Sequence, residues 1–142
     1  MNIQALASLS QRKRALLQVS ITNPPIYLSI DRFIYNKEIG AFLYSIEIGI
    51  KKGNSVEIHK VERRYSALFQ FDRKIRPIFN EFLTLLDFPP KKYIGNKDPI
   101  FLQQRKEDLE KYLSNLNRLP GIIKNSTFLE FFELDPSDLY IR

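Results

Sequence analysis

The sequence predicts an α+β domain in which a three-stranded antiparallel β-meander packs against a helical subdomain. Apolar residues recur with a period of two across residues 26–64, and with a period close to 3.6 in the residues that follow. Strands that precede helices, instead of alternating with them, place the helices on one side of a small sheet. The chain of 142 residues is long enough to form one such domain.

Side-chain alternation and turn chemistry predict the three strands. The first two strands each carry one apolar face, formed by Ile26, Leu28 and Ile30 in one and by Phe42, Tyr44, Ile46, Ile48 and Ile50 in the other. Residues 51–54 supply a turn with a glycine and an asparagine, so Val56, Ile58 and Val61 are expected to pair back as the third strand. The change of phase between Ile58 and Val61 predicts a β-bulge there.

Helical spacing of apolar residues begins directly after the third strand. It predicts a helix that Pro77 breaks or restarts, and an apolar face that continues until the diproline stretch. A long helix is predicted over about residues 99–118 and a short one over about 126–134. The short helix is expected to be capped by Ser126 or Thr127.

The predicted domain covers residues 24–135. Residues 1–23 form an N-terminal extension, interpreted as a leader that precedes the domain, with a basic amphipathic helix lying on a membrane as the alternative. Residues 136–142 form a C-terminal tail or the start of a linker to a longer chain. No stretch is as long and apolar as a bilayer crossing requires, which predicts a cytoplasmic chain.

Composition excludes several kinds of catalytic and metal site. The chain has no cysteine, which excludes disulfides, thiolate metal ligands and cysteine nucleophiles. Its single histidine, His59, excludes a histidine triad and a multi-histidine metal centre. Phosphate-loop, nucleophile-elbow and zinc-protease motifs are absent. We therefore expect no enzyme, no metal site and no cofactor.

The charge distribution predicts a polyanionic partner. The net charge is +6, and residues 125–142 hold four acids and one base, so residues 1–124 carry 21 bases against 12 acids. A basic domain of this kind can bind a nucleic acid, an anionic membrane or a phosphorylated ligand. The alternative is that the charge only keeps the protein soluble. No nucleic-acid motif is recognisable, so no specific nucleic-acid partner is expected.

Arg105 is the most informative single residue because helical spacing places it on the apolar stripe of the long helix, together with Leu109, Tyr112 and Leu116. A buried guanidinium needs an anion close by. That anion is either a carboxylate of the protein, with Glu62 or Asp72 as candidates, or a ligand.

A second cluster lies where the third strand meets the first helix. Strand alternation directs Arg63 and Arg64 to opposite faces, so that one of them points toward the helices. Ser66 is expected to cap the helix, whose free N–H groups favour an anion nearby. Tyr65 offers a flat ring that can pack on a sugar-like ring.

A third cluster is the stiff, basic stretch of residues 88–95, in which a diproline precedes Lys91 and Lys92. Tyr93 and Ile94 are apolar groups inside this basic loop. They are expected either to fold back onto the core or to dip into a membrane between the lipid phosphates.

These clusters, in this order and spacing, resemble the PX (phox homology) domain, a phosphoinositide-binding module. The resemblance covers about residues 25–134. It depends on Arg63 to Ser66 followed by Phe69, on residues 88–91, and on Arg105 followed by residues 109–113. Residues 128–132 match the last helix of the family.

The resemblance implies a role for each site residue. Arg64 grips the 3-phosphate of phosphatidylinositol 3-phosphate, Tyr65 packs against the inositol ring, and Ser66 lies beside the 3-phosphate. Lys91 contacts the 1-phosphate, with Lys92 as a further candidate for that contact. The remaining implied contacts are those of Arg105 with the 4- and 5-hydroxyls and of Tyr93 and Ile94 with the membrane interior.

The expected function is therefore a membrane-targeting module that recognises phosphatidylinositol 3-phosphate on endosomal or vacuolar membranes. It would be a peripheral, cytoplasmic protein of membrane trafficking, similar to a sorting nexin, with other phosphoinositides and the anionic membrane surface as further partners. The alternative is a PX-like protein-interaction domain with weak or absent lipid binding.

Overall fold

The computed structural model of the protein describes residues 25–92 and 95–139. Its main elements are β1 (Ile26–Asn36), β2 (Ala41–Lys52), β3 (Ser55–Arg64), α1 (Tyr65–Ile75), α2 (Pro99–Leu116) and α3 (Ser126–Phe131). Short 3₁₀ turns cover Asn80–Leu85, Ile122–Lys124 and Pro136–Asp138. The N-terminal extension, Tyr93 and Ile94, and the end of the predicted tail lie outside the described residues.

The predicted α+β meander is confirmed. The three strands form one antiparallel sheet in the order β1–β2–β3. The predicted apolar face of β2 is buried, with Tyr44, Ile46, Ile48 and Ile50 at the centre of the core. The helices cover this face, because the alternating apolar side chains need a second layer to exclude water.

The β-bulge lies in β1, and the prediction of a bulge between Ile58 and Val61 is wrong. The β2–β3 register is continuous, and Ile58 lies opposite Gly49 on the exposed outer face of the sheet. The β1–β2 register shifts between Ile30 and Arg32. Beyond this bulge odd-numbered residues of β1 take the inner side, because directly opposed residues share a face: Phe33 pairs with Tyr44 and Tyr35 with Phe42.

The helix termini differ in detail from the prediction. Arg64 occupies the N-cap of α1 without a side-chain cap, and Ser66 lies inside the first turn, so the predicted Ser66 cap is wrong. Asn125 caps α3 in place of Ser126 or Thr127: its extended backbone lets Oδ1 accept a 2.9 Å hydrogen bond from the N–H of Phe128.

The segment between α1 and α2 is less regular than its apolar spacing predicts. A 3₁₀ turn over Asn80–Leu85, interrupted at Phe82, replaces the continued helical face. Phe79, Phe82 and Leu86 are nonetheless buried, so the apolar pattern correctly identifies core residues.

Helix α2 packs along β1 through the predicted stripe. Its buried residues are Leu102, Arg105, Leu109, Tyr112, Leu113 and Leu116. Glu110 accepts a 3.2 Å hydrogen bond from the N–H of Ile30, and the Asn117 amide donates to the carbonyl of Ile26. These bonds fix α2 against the sheet, which determines where Arg105 lies.

In the part of the chain that the structure describes, no helix combines the length and apolarity that a bilayer crossing needs.

Candidate anion-binding site

One cavity of about 390 Å³ opens where the β1–β2 hairpin, the β3–α1 junction, the diproline stretch and α2 meet. The structure places six of the predicted site residues around it, namely Arg64, Tyr65, Ser66, Lys91, Lys92 and Arg105. These residues are far apart in the sequence and come from three separate segments. Their convergence is a structural finding, and their contacts with a ligand remain a prediction.

Arg63 and Arg64 separate at the end of β3, as strand alternation predicts. The Arg63 guanidinium donates 2.7 and 2.8 Å hydrogen bonds to the carbonyl of Phe131 and to the carboxylate of Glu133. This clamp ties the C-terminal helix to the sheet and holds Glu133 at a positive φ of 53°. Arg64 lines the cavity and forms no ion pair with any residue that the structure describes.

Arg105 is 7% exposed and is held by rings in place of a carboxylate. Its guanidinium carbon lies 3.7 Å from the ring centre of Tyr65 and 4.5 Å from that of Phe101. It donates a 3.1 Å hydrogen bond to the carbonyl of Pro90, while its buried Nε has no partner among the described residues. Burial lowers the pKa of Arg105 from its usual value, an effect that the tyrosine rings of the cavity oppose.

The ion-pair alternative for Arg105 is therefore wrong. The carboxylate of Asp72 accepts a 2.6 Å hydrogen bond from Arg76, one turn later on the same helix face. Glu62 is exposed on β3 and forms no ion pair with Arg105. Because no acid of the described chain neutralises Arg105, its charge is available to an anion in the cavity.

The backbone of residues 86–90 is fixed by side chains that donate hydrogen bonds to its carbonyls. These bonds run from Arg76 to Leu86 at 2.7 Å, from Tyr65 to Pro89 at 2.6 Å and from Arg105 to Pro90 at 3.1 Å. Pro89 and Pro90 have no N–H, so the backbone of these two residues can be held only through its oxygens. Lys91 follows Pro90 directly and therefore starts from a fixed backbone.

Both lysines of the diproline stretch lie against aromatic rings. Nζ of Lys91 is 4.4 Å from the ring centre of Phe69, and Nζ of Lys92 is 4.3 Å from that of Phe101. Such cation–π contacts orient an exposed ammonium without neutralising it. Both side chains line the cavity together with Arg105.

Ten further residues line the cavity and were not predicted as site residues. The residues that complete its lining are Tyr35, Gly40, Ala41, Phe42, Tyr44, Phe69, Gln70, Asn96, Lys97 and Leu102. Phe42 and Tyr44 could have been found, because alternation places them on the inner face of β2. Tyr35 could not, because it reaches that face only through the bulge in β1.

Tyr44 forms the floor of the cavity. Its side chain is buried, and its hydroxyl has no hydrogen-bond partner in the part of the chain that the structure describes. Burial raises the pKa of Tyr44 to about 12. The phenol is therefore neutral at physiological pH. It adds no negative charge beside Arg105.

The charged side chains that the structure describes in the cavity lining are all positive. Among the residues that the structure describes, its lining holds Arg64, Lys91, Lys92, Lys97 and Arg105 and no carboxylate. Several cations that converge without an internal counter-ion cost solvation energy, which a multiply charged anion can offset. The geometry thus suits a phosphorylated ligand.

A separate polar group lies at the other end of β3. Ligand atoms of Glu57, His59 and Asp138 come within 4.8 Å of one another, a spacing compatible with a metal ion. Nζ of Lys52 lies 2.7 Å from the Glu57 carboxylate and 3.5 Å from that of Asp138. Hydrogen bonds from Lys52 and His59 lower the pKa of Glu57. The ammonium of Lys52 therefore already serves as the cation of this group.

Comparison with known proteins identifies the family. The PX domain family model matches residues 51–135, and the chain belongs to that family. The designed CISK-PX domain superimposes with a TM-score of 0.63 at 28% identity, covering 75% of this chain and 97% of that one. The mouse SNX19 PX domain superimposes with a TM-score of 0.60 at 23% identity, covering 78% and 97%.

Sequence relatives include sorting nexins and a kinesin. Human sorting nexin-13 is 37% identical over 93 residues, which are 66% of this chain and 10% of that protein. The human kinesin-like protein KIF16B is 35% identical over 89 residues, 63% of this chain and 6% of that protein. The chain thus spans about a tenth or less of these relatives. PX domains are phosphoinositide-binding modules of membrane trafficking, and family membership supports this general role here.

Proposed function

We propose that this domain recognises phosphatidylinositol 3-phosphate and thereby attaches to endosomal or vacuolar membranes. The observation that carries the proposal is the convergence of Arg64 and Arg105 on one cavity whose described lining holds no acid. Membership of the PX family supports a phosphoinositide as the anion. Other phosphoinositides are the nearest competitors for the same cavity.

Each cation has a proposed role. Arg64 holds the 3-phosphate, because its exposed guanidinium is unpaired at the rim, and Ser66 lies beside the same phosphate. Lys91 holds the 1-phosphate, with Lys92 as a second contact, since both leave a fixed support near the cavity mouth. Arg105 occupies the edge with the 4- and 5-hydroxyls and leaves little room for further phosphates there.

Tyr65 has two tasks in this proposal. Its hydroxyl fixes the carbonyl of Pro89, and one face of its ring is covered by the guanidinium of Arg105. In the proposed complex the inositol ring packs on Tyr65, and Arg105 reaches the 4- and 5-hydroxyls. The membrane contacts predicted for Tyr93 and Ile94 lie outside the described residues and remain predictions.

The proposed location is the cytoplasmic surface of endosomes or vacuoles, where the protein is held as a peripheral component. Support comes from the sorting nexins among its sequence relatives. The domain supplies no chemistry in this proposal: it binds the lipid headgroup and uses no cofactor.

Sedimentation with phosphatidylcholine vesicles tests the function. Separate vesicles carry the 3-phosphate, the 4-phosphate, the 3,5-bisphosphate or the 4,5-bisphosphate lipid, or phosphatidylserine at matched charge, all at physiological salt. We expect the strongest binding with the 3-phosphate lipid. The Arg64→Gln variant should lose this binding, whereas Arg32→Gln, the same change of charge at an exposed position of β1 outside the cavity, should keep it.

Equal binding to all anionic vesicles would reduce the domain to a generic cationic surface. No binding to any of them by the folded protein would favour the protein-interaction alternative. Retention of 3-phosphate binding by Arg64→Gln would remove the proposed site.

A further inference from the structure

The outer face of the sheet carries an apolar patch at the end where β1 begins. The described helices pack on the inner face, while Tyr27, Val56 and Ile58 lie on the outer face with 36%, 48% and 45% of their surface exposed. Apolar side chains grouped on an exposed surface often mark a contact site. We call these three residues the outer patch.

The outer patch is continuous across the sheet. Gly49 of β2 pairs with Tyr27 on one side and with Ile58 on the other, so these three residues form one row. Because Gly49 has no side chain, the ring of Tyr27 lies over it, in space that a Cβ at this position would need. Val56 lies two residues before Ile58, on the same face of β3. One apolar surface therefore extends from β1 to β3.

The chain enters the fold beside the outer patch. The N–H of Lys51 donates a 3.1 Å hydrogen bond to the carbonyl of Pro25, which holds the chain at this end of the sheet. Tyr27 follows Pro25 by two residues. The β1–β2 turn at the cavity lies about 33 Å away, because β1 has 11 residues. Residues 1–24 therefore join the described structure at the patch and far from the cavity.

The residues just before this entry have the apolar pattern that such a patch can bind. They lie outside the described residues, but in the sequence Leu17, Val19 and Ile21 alternate with polar residues, a pattern that places them on one side of an extended chain. We call residues 16–21 the apolar segment. Leu17 precedes Pro25 by eight residues, which span at most about 28 Å. The outer patch is two strand spacings wide, about 10 Å, so the apolar segment can reach all of it.

A tethered partner suits a patch of this size. Each side of a stable interface between separate chains contributes about 800 Å² of surface. Three half-exposed side chains provide much less, so the outer patch alone holds neither a second copy nor a free protein. A segment of the same chain needs less contact area, because a short tether gives it an effective concentration in the millimolar range.

We propose that the outer patch is the docking surface for the apolar segment of the same chain. Leu17, Val19 and Ile21 cover the patch, which removes apolar surface of both partners from water. The contact lies at the opposite end of β1 from the headgroup site, and it does not depend on the proposed function. It gives this part of the N-terminal extension an intramolecular role in place of membrane contact.

A spin label on the apolar segment tests the proposal, because the chain has no cysteine and Gln18→Cys supplies a single attachment point. Gln18 is polar and alternates with the residues that dock. The full chain is studied by nuclear magnetic resonance in solution, without lipid or headgroup. We expect the label to broaden the amide signals of Gly49, Val56 and Ile58, and the signals should return when the label is reduced.

Polar and charged variants of the labelled chain separate docking from proximity through the tether. The double variant Leu17→Ser/Val19→Ser keeps the tether and should lose most of the broadening at the patch. Ile58→Lys should lose it as well. Ile78→Lys is the matched control and should keep it, since Ile78 is 55% exposed but lies after α1, outside the patch.

Absence of broadening at the outer patch would overturn the proposal. Broadening that persists in Leu17→Ser/Val19→Ser would come from the tether alone and would overturn it too. Equal loss in Ile58→Lys and Ile78→Lys would show that the patch is not the docking surface. Broadening that passes from a labelled chain to an unlabelled one in a mixture would replace the apolar segment of the same chain by that of a second copy.

Discussion

Two arginines on either side of the diproline stretch perform a similar structural task in opposite electrostatic settings. Arg76 donates to the carbonyl of Leu86 and is paired with the buried carboxylate of Asp72 at 2.6 Å. Arg105 donates to the carbonyl of Pro90 and lies between the rings of Tyr65 and Phe101. Both help to hold the backbone of residues 86–90, but within the described part of the chain Arg76 has a counter-ion and Arg105 has none.

The difference distinguishes a structural cation from one that is available to a ligand. A carboxylate beside Arg76 satisfies its charge within the fold, so an outside anion gains little there. At Arg105 the charge is supported by aromatic faces, which orient a cation without cancelling it. The proposed preference of the cavity for anions therefore depends on the absence of a counter-ion to Arg105 among the residues that the structure describes.

Removing the unpaired cation should have the largest effect. Arg105→Gln is expected to weaken binding to phosphatidylinositol 3-phosphate vesicles by at least about a hundredfold, because a desolvated charge contact to the ligand is lost. Its free energy of unfolding should fall by no more than about 1 kcal/mol, since a buried charge is removed with its hydrogen bond. Parent-like sedimentation of the variant would show that Arg105 does not serve the ligand.

Breaking the Asp72–Arg76 pair should lower the free energy of unfolding. Asp72→Asn leaves Arg76 without its buried partner and should lower the free energy of unfolding by about 2 kcal/mol, less than for a fully buried pair because Arg76 is 29% exposed. Asp87→Asn, an exposed acid close in sequence, is the control and should change little. Urea denaturation measures both. Equal stabilities of the two variants would mean that the Asp72–Arg76 pair contributes nothing to the fold.

Adding a carboxylate to the cavity should make the surroundings of Arg105 resemble those of Arg76. Gln70 lines the cavity from α1, so Gln70→Glu is expected to reduce headgroup affinity about tenfold through repulsion of the phosphates. Gln103→Glu makes the same change of charge on the exposed face of α2, outside the cavity lining, and should have a much smaller effect. Calorimetric titration with soluble inositol 1,3-bisphosphate compares them. If both variants lose the same affinity, the net charge of the domain determines headgroup binding and the position of the charge in the cavity does not.

The smallest expected effect concerns the neutral floor of the cavity. Because burial raises the pKa of Tyr44 to about 12 from 10.0, the folded state holds this proton more tightly than the unfolded state. The contribution of this raised pKa to the free energy of unfolding is present in full below pH 10 and is lost as the pH rises toward 12. About 1 kcal/mol of it is lost at pH 11.

The Tyr44→Phe variant lacks this titration, so its stability relative to the parent should rise by that amount between pH 9 and pH 11. Chemical denaturation at the two pH values measures the difference. At neutral pH the variant should be at least as stable as the parent, because the lost hydroxyl has no partner. A relative stability that does not change with pH would contradict the burial of the phenol.

The sequence predicts this fold well where one periodicity applies throughout an element. The inner face of β2 and the stripe of α2 that contains Arg105 follow directly from spacing, because both elements bury one continuous face. The opposite directions of Arg63 and Arg64 follow in the same way. The predicted cluster of site residues around one cavity depended on the resemblance to the PX family.

Features that depend on pairing between distant residues could not be predicted. The bulge in β1 is set by its register against β2, and only the bulge brings Tyr35 to the cavity. Local spacing contains no information about this register. The partner of Asp72, by contrast, lies one helical turn away at Arg76, so the i,i+4 spacing could have favoured Arg76 over Arg105.

Nuclear magnetic resonance titration of the domain with soluble inositol 1,3-bisphosphate isolates headgroup binding, since no membrane is involved. We expect saturable shifts at the backbone amides of Arg64, Tyr65, Lys91 and Arg105, with none around the paired Lys52–Glu57 group. Saturable shifts centred elsewhere, or no shifts at millimolar ligand, would contradict the claim that Arg64, Lys91 and Arg105 form a headgroup site.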